Sequence, residues 1–407
     1  MIIPVLQNKK IILGITGGIA AYKSAMVCSR LVQAGAEVNV VMTEAAQKFI
    51  TPLTFQALTH RPVLTDMFTI PPGSNIPHIA LADTADLLLI APATAATISK
   101  LANGQPDNLL TAIAMATPAP TLLAPAMETD MWQYPATQAN IEKLRSWGLF
   151  TVGPAQGRLA SGAVGAGRMV EPEEIVGMAR QVLARQGPLA GRRVVITAGG
   201  TREAIDPVRF VSNHSSGKMG YALAQAAVDR GAHVVLISTV NRPAPFGVEL
   251  AAVASAEEMK QAVLEHAHQA DVLIMAAAVA DFRPRAVAGH KIKKQADTTG
   301  LTLKLTRTSD ILAEVAQQKT AGYGPRVVIG FAAETEDLLA NARRKLDVKK
   351  LDMIAANDVT ATDAGFAVDT NRVTLLAADG SVEELPLLSK IEVAHTILAR
   401  AEKFLAG

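Results

Sequence analysis

Residues 10–33 read KIILGITGGIAAYKSAMVCSRLVQ, and the two ends of this stretch follow different periods. Residues 11–15 are apolar without alternation, as in a strand covered on both faces. From Ile19 to Ala34 apolar residues recur at helical spacing. Gly14, Thr16, Gly17, Gly18 and Ala20 stand between them, so a strand hands over to a helix through a glycine pair. The exposed N–H groups and positive dipole end of a helix start suit a phosphate. The spacing is not the G-x-G-x-x-G dinucleotide fingerprint, and a glycine pair at such a turn can also be a plain tight turn. The residues alone leave both readings open.

Outward from this stretch the alternation continues. AEVNVVMT (36–43), ADLLLIAPAT (85–94) and TLLAPAM (121–127) are further strands, and a charged helix over 171–186 closes the unit. The segment 186–191, QGPLAG, reads as a linker. The pattern then restarts: RRVVITAGG (192–200), HVVLIST (233–239), DVLIMAAAV (271–279), RVVIGFAAE (326–334) and LDMIAAND (351–358) alternate with helices near 220–231 and 335–348. A β-rich piece at 372–380 and a helix near 388–405 end the chain. This predicts an α/β protein of two doubly wound, mostly parallel-sheet domains, flavodoxin-like or Rossmann-like and then Rossmann-like, over residues 1–188 and 189–407.

Composition narrows the function. The 407 residues are 49% hydrophobic and 19% charged, enough apolar mass for two cores and against a disordered chain. Lys plus Arg number 39 against 37 Asp plus Glu, so no bulk basic field points to nucleic acid or to an anionic membrane surface. Residues 108–127 are uncharged and long enough to span a bilayer, but Pro118, Pro120 and Pro125 break them. The apolar run after Lys9-Lys10 lacks the small-residue cleavage site of a signal peptide and continues into an amphipathic helix. A soluble, cytoplasmic protein is expected. The single cysteine, Cys28, excludes an internal disulfide framework and fits a reducing compartment.

In open α/β sheets, ligands sit beyond the strand carboxyl ends. In the first half those ends carry Thr43, Thr94 and Met127, small or polar neighbours that fit a flat ring and a sugar chain. His78 follows a Pro-Gly loop, and a lone histidine is more often a surface residue than a catalyst. In the second half Thr201-Arg202, Asp206, Arg209 and the run Ser212-Asn213-His-Ser215-Ser216-Gly217-Lys218 gather anion-binding groups ahead of one helix without Walker A spacing. Lys291, Lys293 and Lys294, by themselves, read as a solvated loop.

The pieces TGGIAAYK, MTEAA, PHIAL, APATA, ANGQPDNLL, PAM and GRMVEP, in that order, resemble the FMN-dependent cysteine decarboxylases that act on phosphopantothenoylcysteine. SNHSSGKMG, AAVADFRP, KIKK, IGFAAET and AAND resemble the CTP-using phosphopantothenate–cysteine ligases, and the fusion resembles the bifunctional CoaBC family of coenzyme A biosynthesis. The resemblance implies an FMN-binding decarboxylase-like domain over 1–188 and a CTP-dependent ligase domain over 189–407. It implies FMN held by Thr16, Gly17, Gly18, Ile19, Ala20, Thr43, Thr94 and Asn108, with Met127 close by and His78 serving thiol oxidation. For the ligase it implies contacts to CTP from Ala276, Ala277, Ala278, Asp281, Lys291, Thr308, Ser309, Asp310, Ile311, Phe331, Lys345 and Lys349. It also implies Asn213 on the acyl intermediate, Arg209 on the pantothenate phosphate, and Mg²⁺ with no ligand assigned. Trimers of the first half and dimers of the second are part of the same expectation.

Two positions depart from the family pattern. Glu128 stands where the decarboxylases have the asparagine that holds the substrate carboxylate, and Ser161 where a flap cysteine donates the last proton. An ionised Glu128 would repel the departing carboxylate, and a serine is a far weaker acid than a thiol. Three outcomes stay open: a working decarboxylase with other donors, an active ligase whose flavoprotein half stops at the aminoenethiol, and an FMN-binding scaffold.

Overall fold

The computed structural model describes residues 3–68, 77–293, 300–334, 337–358 and 368–406. The Pro-Gly loop before His78, Lys294 and the helix start expected at Thr335 lie outside the described residues. The chain forms two compact units, Met1–Arg185 and Gln186–Gly407.

The first unit opens with β1 (Lys10–Ile15), α1 (Ala21–Gln33), β2 (Glu37–Met42), α2 (Glu44–Gln47), α3 (Pro52–Thr59) and α4 (Pro77–Thr84). Then come β3 (Leu87–Ala93), α5 (Ala95–Ala102), α6 (Leu109–Ala116), β4 (Thr121–Pro125), α7 (Thr129–Gln133), α8 (Pro135–Ser146) and β5 (Phe150–Thr151). These strands form one parallel sheet in the order β2-β1-β3-β4-β5. Residues 11–13 and 87–91 are buried on both faces, which is why these runs lack alternation. Each fully buried Leu or Ile contributes about 1.5–3 kcal/mol. The order reverses between β1 and β3, so the crevice opens at their carboxyl ends, where Thr16 and Thr94 follow. A hairpin, β6 (Ala155–Arg158) and β7 (Val164–Arg168), precedes the closing helix α9 (Pro172–Ala184).

The second unit begins β8 (Arg193–Ala198), a hairpin of β9 (Arg202–Ala204) and β10 (Phe210–Ser212), α10 (Lys218–Val228), β11 (His233–Ser238) and β12 (Val248–Ala252). It continues with α11 (Ala256–Ala267), β13 (Val272–Met275), the paired β14 (Phe282–Pro284) and β15 (Leu305–Arg307), α12 (Ile311–Thr320), β16 (Val327–Glu334) and α13 (Leu338–Val348). It ends with β17 (Met353–Asp358), β18 (Thr370–Asn371), β19 (Val373–Ala377), β20 (Val382–Glu384), β21 (Leu388–Ser389) and α14 (Lys390–Ala406). The large sheet runs β12-β11-β8-β13-β16-β17-β19-β20, with every strand in one direction except β19, which pairs antiparallel with both β17 and β20. One face packs on α10 and α14, through residues such as Ala355 and Val373. The other packs on α11, α12 and α13, through Ile354 and Ala356. Successive residues of β17 thus serve opposite cores, as a strand requires.

Candidate active sites

In the first unit, nine residues gathered from β1, β2, β3 and β4 ends and from helix starts line one cavity of about 1020 Å³: Thr16, Gly17, Gly18, Ile19, Ala20, Thr43, Thr94, Asn108 and Met127. Their side chains first serve the fold. Thr16 Oγ1 donates to the Pro92 carbonyl at 2.6 Å and accepts from the Thr94 amide at 3.2 Å, tying the two strand ends of the crevice together. Thr43, Thr94 and Asn108 are the N-caps of α2, α5 and α6, accepting from the amides of Ala46, Thr97 and Thr111. The cavity therefore receives the positive ends of α1, α5 and α6, each at least eight residues long. A Cβ on Gly17 would lie 2.4 Å from Ala45 Cβ, so the first loop approaches its neighbour as only glycine allows.

The β6–β7 hairpin covers one side. Gly167 (φ +150°) accepts at its carbonyl from the Met127 amide at 2.9 Å, and a Cβ there would fall 2.2 Å from the Met127 carbonyl oxygen. At the hairpin turn the Ser161 hydroxyl donates to Glu128 Oε2 at 2.9 Å. The two departures from the family pattern are thus hydrogen-bonded to one another. Glu128, Leu159 and Ala160 line the cavity, whereas Ser161 does not. His78 lies in the first turn of α4. The thiol of Cys28 is buried in α1, where burial pushes its pKa up to about 12, and it does not line the cavity.

Sequence reasoning missed Lys23. Its ammonium is buried at the cavity wall, donating to the Met169 carbonyl at 3.1 Å and pairing with Glu171 at 2.9 Å. Arg168 also pairs with Glu171, at 2.7 Å. These cations, Lys23 foremost, hold the Glu171 carboxyl below the usual range. Nothing in the periodicity of 19–34 distinguishes Lys23 from a solvated lysine; only packing against 169–171 does.

The second unit holds a cavity of about 1040 Å³. Asn213, Ala276, Ala277, Ala278, Asp281, Thr308, Ser309, Asp310, Ile311, Phe331, Lys345 and Lys349 line it. Asn213 Nδ2 donates to the Val279 carbonyl at 3.1 Å, which fixes the amide. Lys345 Nζ donates to the Phe331 carbonyl at 2.9 Å, and Lys349 pairs with Asp310, whose other oxygen caps α12. No group of three or more His, Cys, Asp or Glu side chains among the described residues could hold a metal ion unaided.

Arg209 and Lys291 do not line this cavity. The guanidinium of Arg209 is engaged by Asp206, with Nε 3.0 Å from Oδ2, and by the Ile292 carbonyl at 3.0 Å. The buried Asp206 carboxylate also accepts from the amides of Val208, Arg209 and Ile292 at 2.9, 2.9 and 3.1 Å. These bonds, that of Arg209 first, hold its carboxyl far below the usual range. Asp206 thereby joins the 206–209 turn to the segment that carries Lys291.

Two family models match the chain, one in each half. Residues 5–184 match the Flavoprotein family, and residues 189–405 match the DNA/pantothenate metabolism flavoprotein C-terminal domain family. The coenzyme A biosynthesis bifunctional protein CoaBC of Bacillus subtilis (strain 168) is 50% identical over 397 residues, 97% of this chain and 96% of that protein. Its counterpart from Mycobacterium tuberculosis (strain H37Rv) is 46% identical over 411 residues, 98% and 97% of the two chains. The crystal structure of a CoaBC C-terminal domain, 43% identical, covers 54% of this chain and 99% of its own, with a TM-score of 0.46. On the matched families and the near-full-length identity, the chain belongs to the CoaBC family of bifunctional coenzyme A biosynthesis enzymes, a flavoprotein half followed by a ligase half.

Proposed function

We propose that the second unit joins cysteine to 4′-phosphopantothenate at the expense of CTP, and that the first unit, carrying FMN, decarboxylates the product to 4′-phosphopantetheine. The observation that carries this reading is the pair of cavities, one at the carboxyl edge of each parallel sheet, each large enough for a nucleotide-sized ligand.

A carboxylate is not attacked by an amine at neutral pH, so it must first displace pyrophosphate from CTP as an acyl cytidylate. The second cavity supplies cations for that exchange, Lys345, Lys349 and Arg307 among them, and Asp281 would help to hold a Mg²⁺ that would neutralise phosphate charge. Asn213, held by Val279, steadies the mixed anhydride while the cysteine amine attacks. Arg209 acts here by ordering the 206–209 turn rather than by its charge alone.

In the first unit the residues fit FMN: helix starts for a terminal phosphate, small residues for a flat ring, and Met127 beside it. When bound, FMN supplies a two-electron acceptor for the thiol and later returns those electrons. The chain's own part is to close the β6–β7 hairpin, exclude water and place protons. A serine hydroxyl alone is a poor acid; hydrogen-bonded to Glu128, Ser161 joins a pair that can hold and relay the final proton.

The test is product analysis with the purified full chain, cysteine, CTP and 4′-phosphopantothenate. Pyrophosphate, carbon dioxide and 4′-phosphopantetheine without net redox change are expected. Accumulating phosphopantothenoylcysteine or aminoenethiol would favour the second reading, a ligase with a stalled flavoprotein half, which the Glu128 and Ser161 departures motivate. A colourless protein that takes up no added FMN would sink the flavin assignment.

A further inference from the structure

Lys23 stands where an isolated helix would not place it. It is the third residue of α1, in the turn whose free amides already present positive charge, and its side chain is only 6% exposed. A cation is favoured at the other end of a helix, and a buried ammonium is costly unless it is paired and hydrogen-bonded. Both of its partners lie on the segment that follows β7: the Met169 carbonyl, 3.1 Å from Nζ, and Glu171 Oε1, at 2.9 Å. The same Glu171 oxygen accepts from Arg168 at 2.7 Å, and Glu171 is the N-cap of α9. The lysine therefore meets the chain at the point where the β6–β7 hairpin ends and the closing helix begins.

The other holds on the hairpin share one edge of the cavity. The Met127 amide donates to the Gly167 carbonyl, Ser161 donates to Glu128, and Gly165 passes so close to Thr129 that a Cβ there would fall 2.3 Å from its Oγ1. All three partners belong to residues 127–129, between β4 and the first turn of α7. Lys23 supplies a hold from the α1 edge. Gly17, Gly18, Ile19, Ala20 and Lys23 line the same cavity, so one ammonium ties the glycine turn to the hairpin that covers it. Without it, Glu171 is half exposed and keeps Arg168 within its own segment, so no carboxylate is left buried and unpaired. The tie to α1 can thus be removed while the fold persists.

We propose that Lys23 is a positioning residue of the flavoprotein half, whose ammonium, held by the Met169 carbonyl and Glu171, fixes the base of the β6–β7 hairpin so that the hairpin covers the cavity. The inference rests on the proposed decarboxylase reading and names the residue behind its closure. A hairpin left unfixed admits water and lets the aminoenethiol leave before the last proton is delivered.

Hydrogen exchange of the full chain without FMN, followed by mass spectrometry, tests this apart from turnover. In Lys23→Met the amides of residues 159–167 should exchange about tenfold faster or more, with β1, β3 and the second unit unchanged. Arg30→Gln, which breaks the exposed Arg30–Glu173 pair between α1 and α9, should leave the hairpin at its original rate. In single turnovers of phosphopantothenoylcysteine by the FMN-loaded chain, the ratio of aminoenethiol to 4′-phosphopantetheine should rise about tenfold in Lys23→Met, two electrons staying on FMN for each aminoenethiol that escapes. Unchanged hairpin exchange in Lys23→Met, whatever becomes of FMN binding, overturns the inference. Equal acceleration in Arg30→Gln, or a faster hairpin with an unchanged product ratio, overturns it too. Lys23→Gln, which keeps a donor for the Met169 carbonyl without the charge, serves if the urea midpoint shows the methionine variant unfolded, and the same acceleration is expected of it. If the unaltered enzyme forms no 4′-phosphopantetheine, the decarboxylase reading falls, and hairpin exchange alone then decides the role of Lys23.

Discussion

Glu128 and Ser161 show how a residue departure becomes interpretable once its neighbour is known. If the pair works as a unit, Ser161→Ala and Glu128→Gln should each lower decarboxylation roughly tenfold or more, and the double variant should lose little beyond either single one. Additive losses in a double-mutant cycle of kcat would show that the two act separately. Restoring the family residues, Glu128→Asn with Ser161→Cys, should give 4′-phosphopantetheine by the other arrangement. Asp206 permits a second residue-scale test. Its folded pKa lies below the unfolded value of 3.8, so its contribution to stability is present above that value and lost as pH falls below it. Asp206→Asn should therefore flatten the acid limb of the urea midpoint of the second unit against pH. An unchanged limb would mean that other carboxylates govern it.

At the scale of elements, the parallel strands and their helices are legible in the sequence because burial on both faces leaves unbroken apolar runs such as 87–91. The hairpins are not. Residues 155–168 contain four glycines in a short span and little alternation, and their pairing is seen only in the structure, where Gly167 also packs closely against Met127. Between Gly199-Gly200 and α10 a β-hairpin intervenes where the sequence reads simply as an anion-binding loop. Two element-scale outcomes follow. Gly167→Ala should loosen the hairpin and weaken FMN binding, read by recovery of flavin fluorescence on dilution; wild-type affinity would show that the hairpin does not close the site. Asn108→Ala removes the reciprocal cap of α6 and should cost about 0.5–2 kcal/mol in the unfolding of the first unit, measured in urea.

For the whole molecule, two units with separate cores should melt as separable transitions when followed by calorimetry. FMN should raise only one and CTP only the other, by about 2.7 kcal/mol at a ligand concentration one hundred times Kd. A single transition shifted equally by both would make the chain one cooperative body. The expected assembly, trimers through the first half and dimers through the second, is read by sedimentation; a species of 42.8 kDa would remove it. The chain's one thiol offers a further measurement. Cys28 faces the core beneath α1, and no cysteine occurs beyond residue 185. Alkylation by a maleimide or iodoacetamide probe must therefore wait for α1 to lift from its sheet, and the rate of labelling becomes an intrinsic clock for opening of the flavoprotein half alone. Added FMN should slow that clock, whereas CTP should leave it running at its original pace.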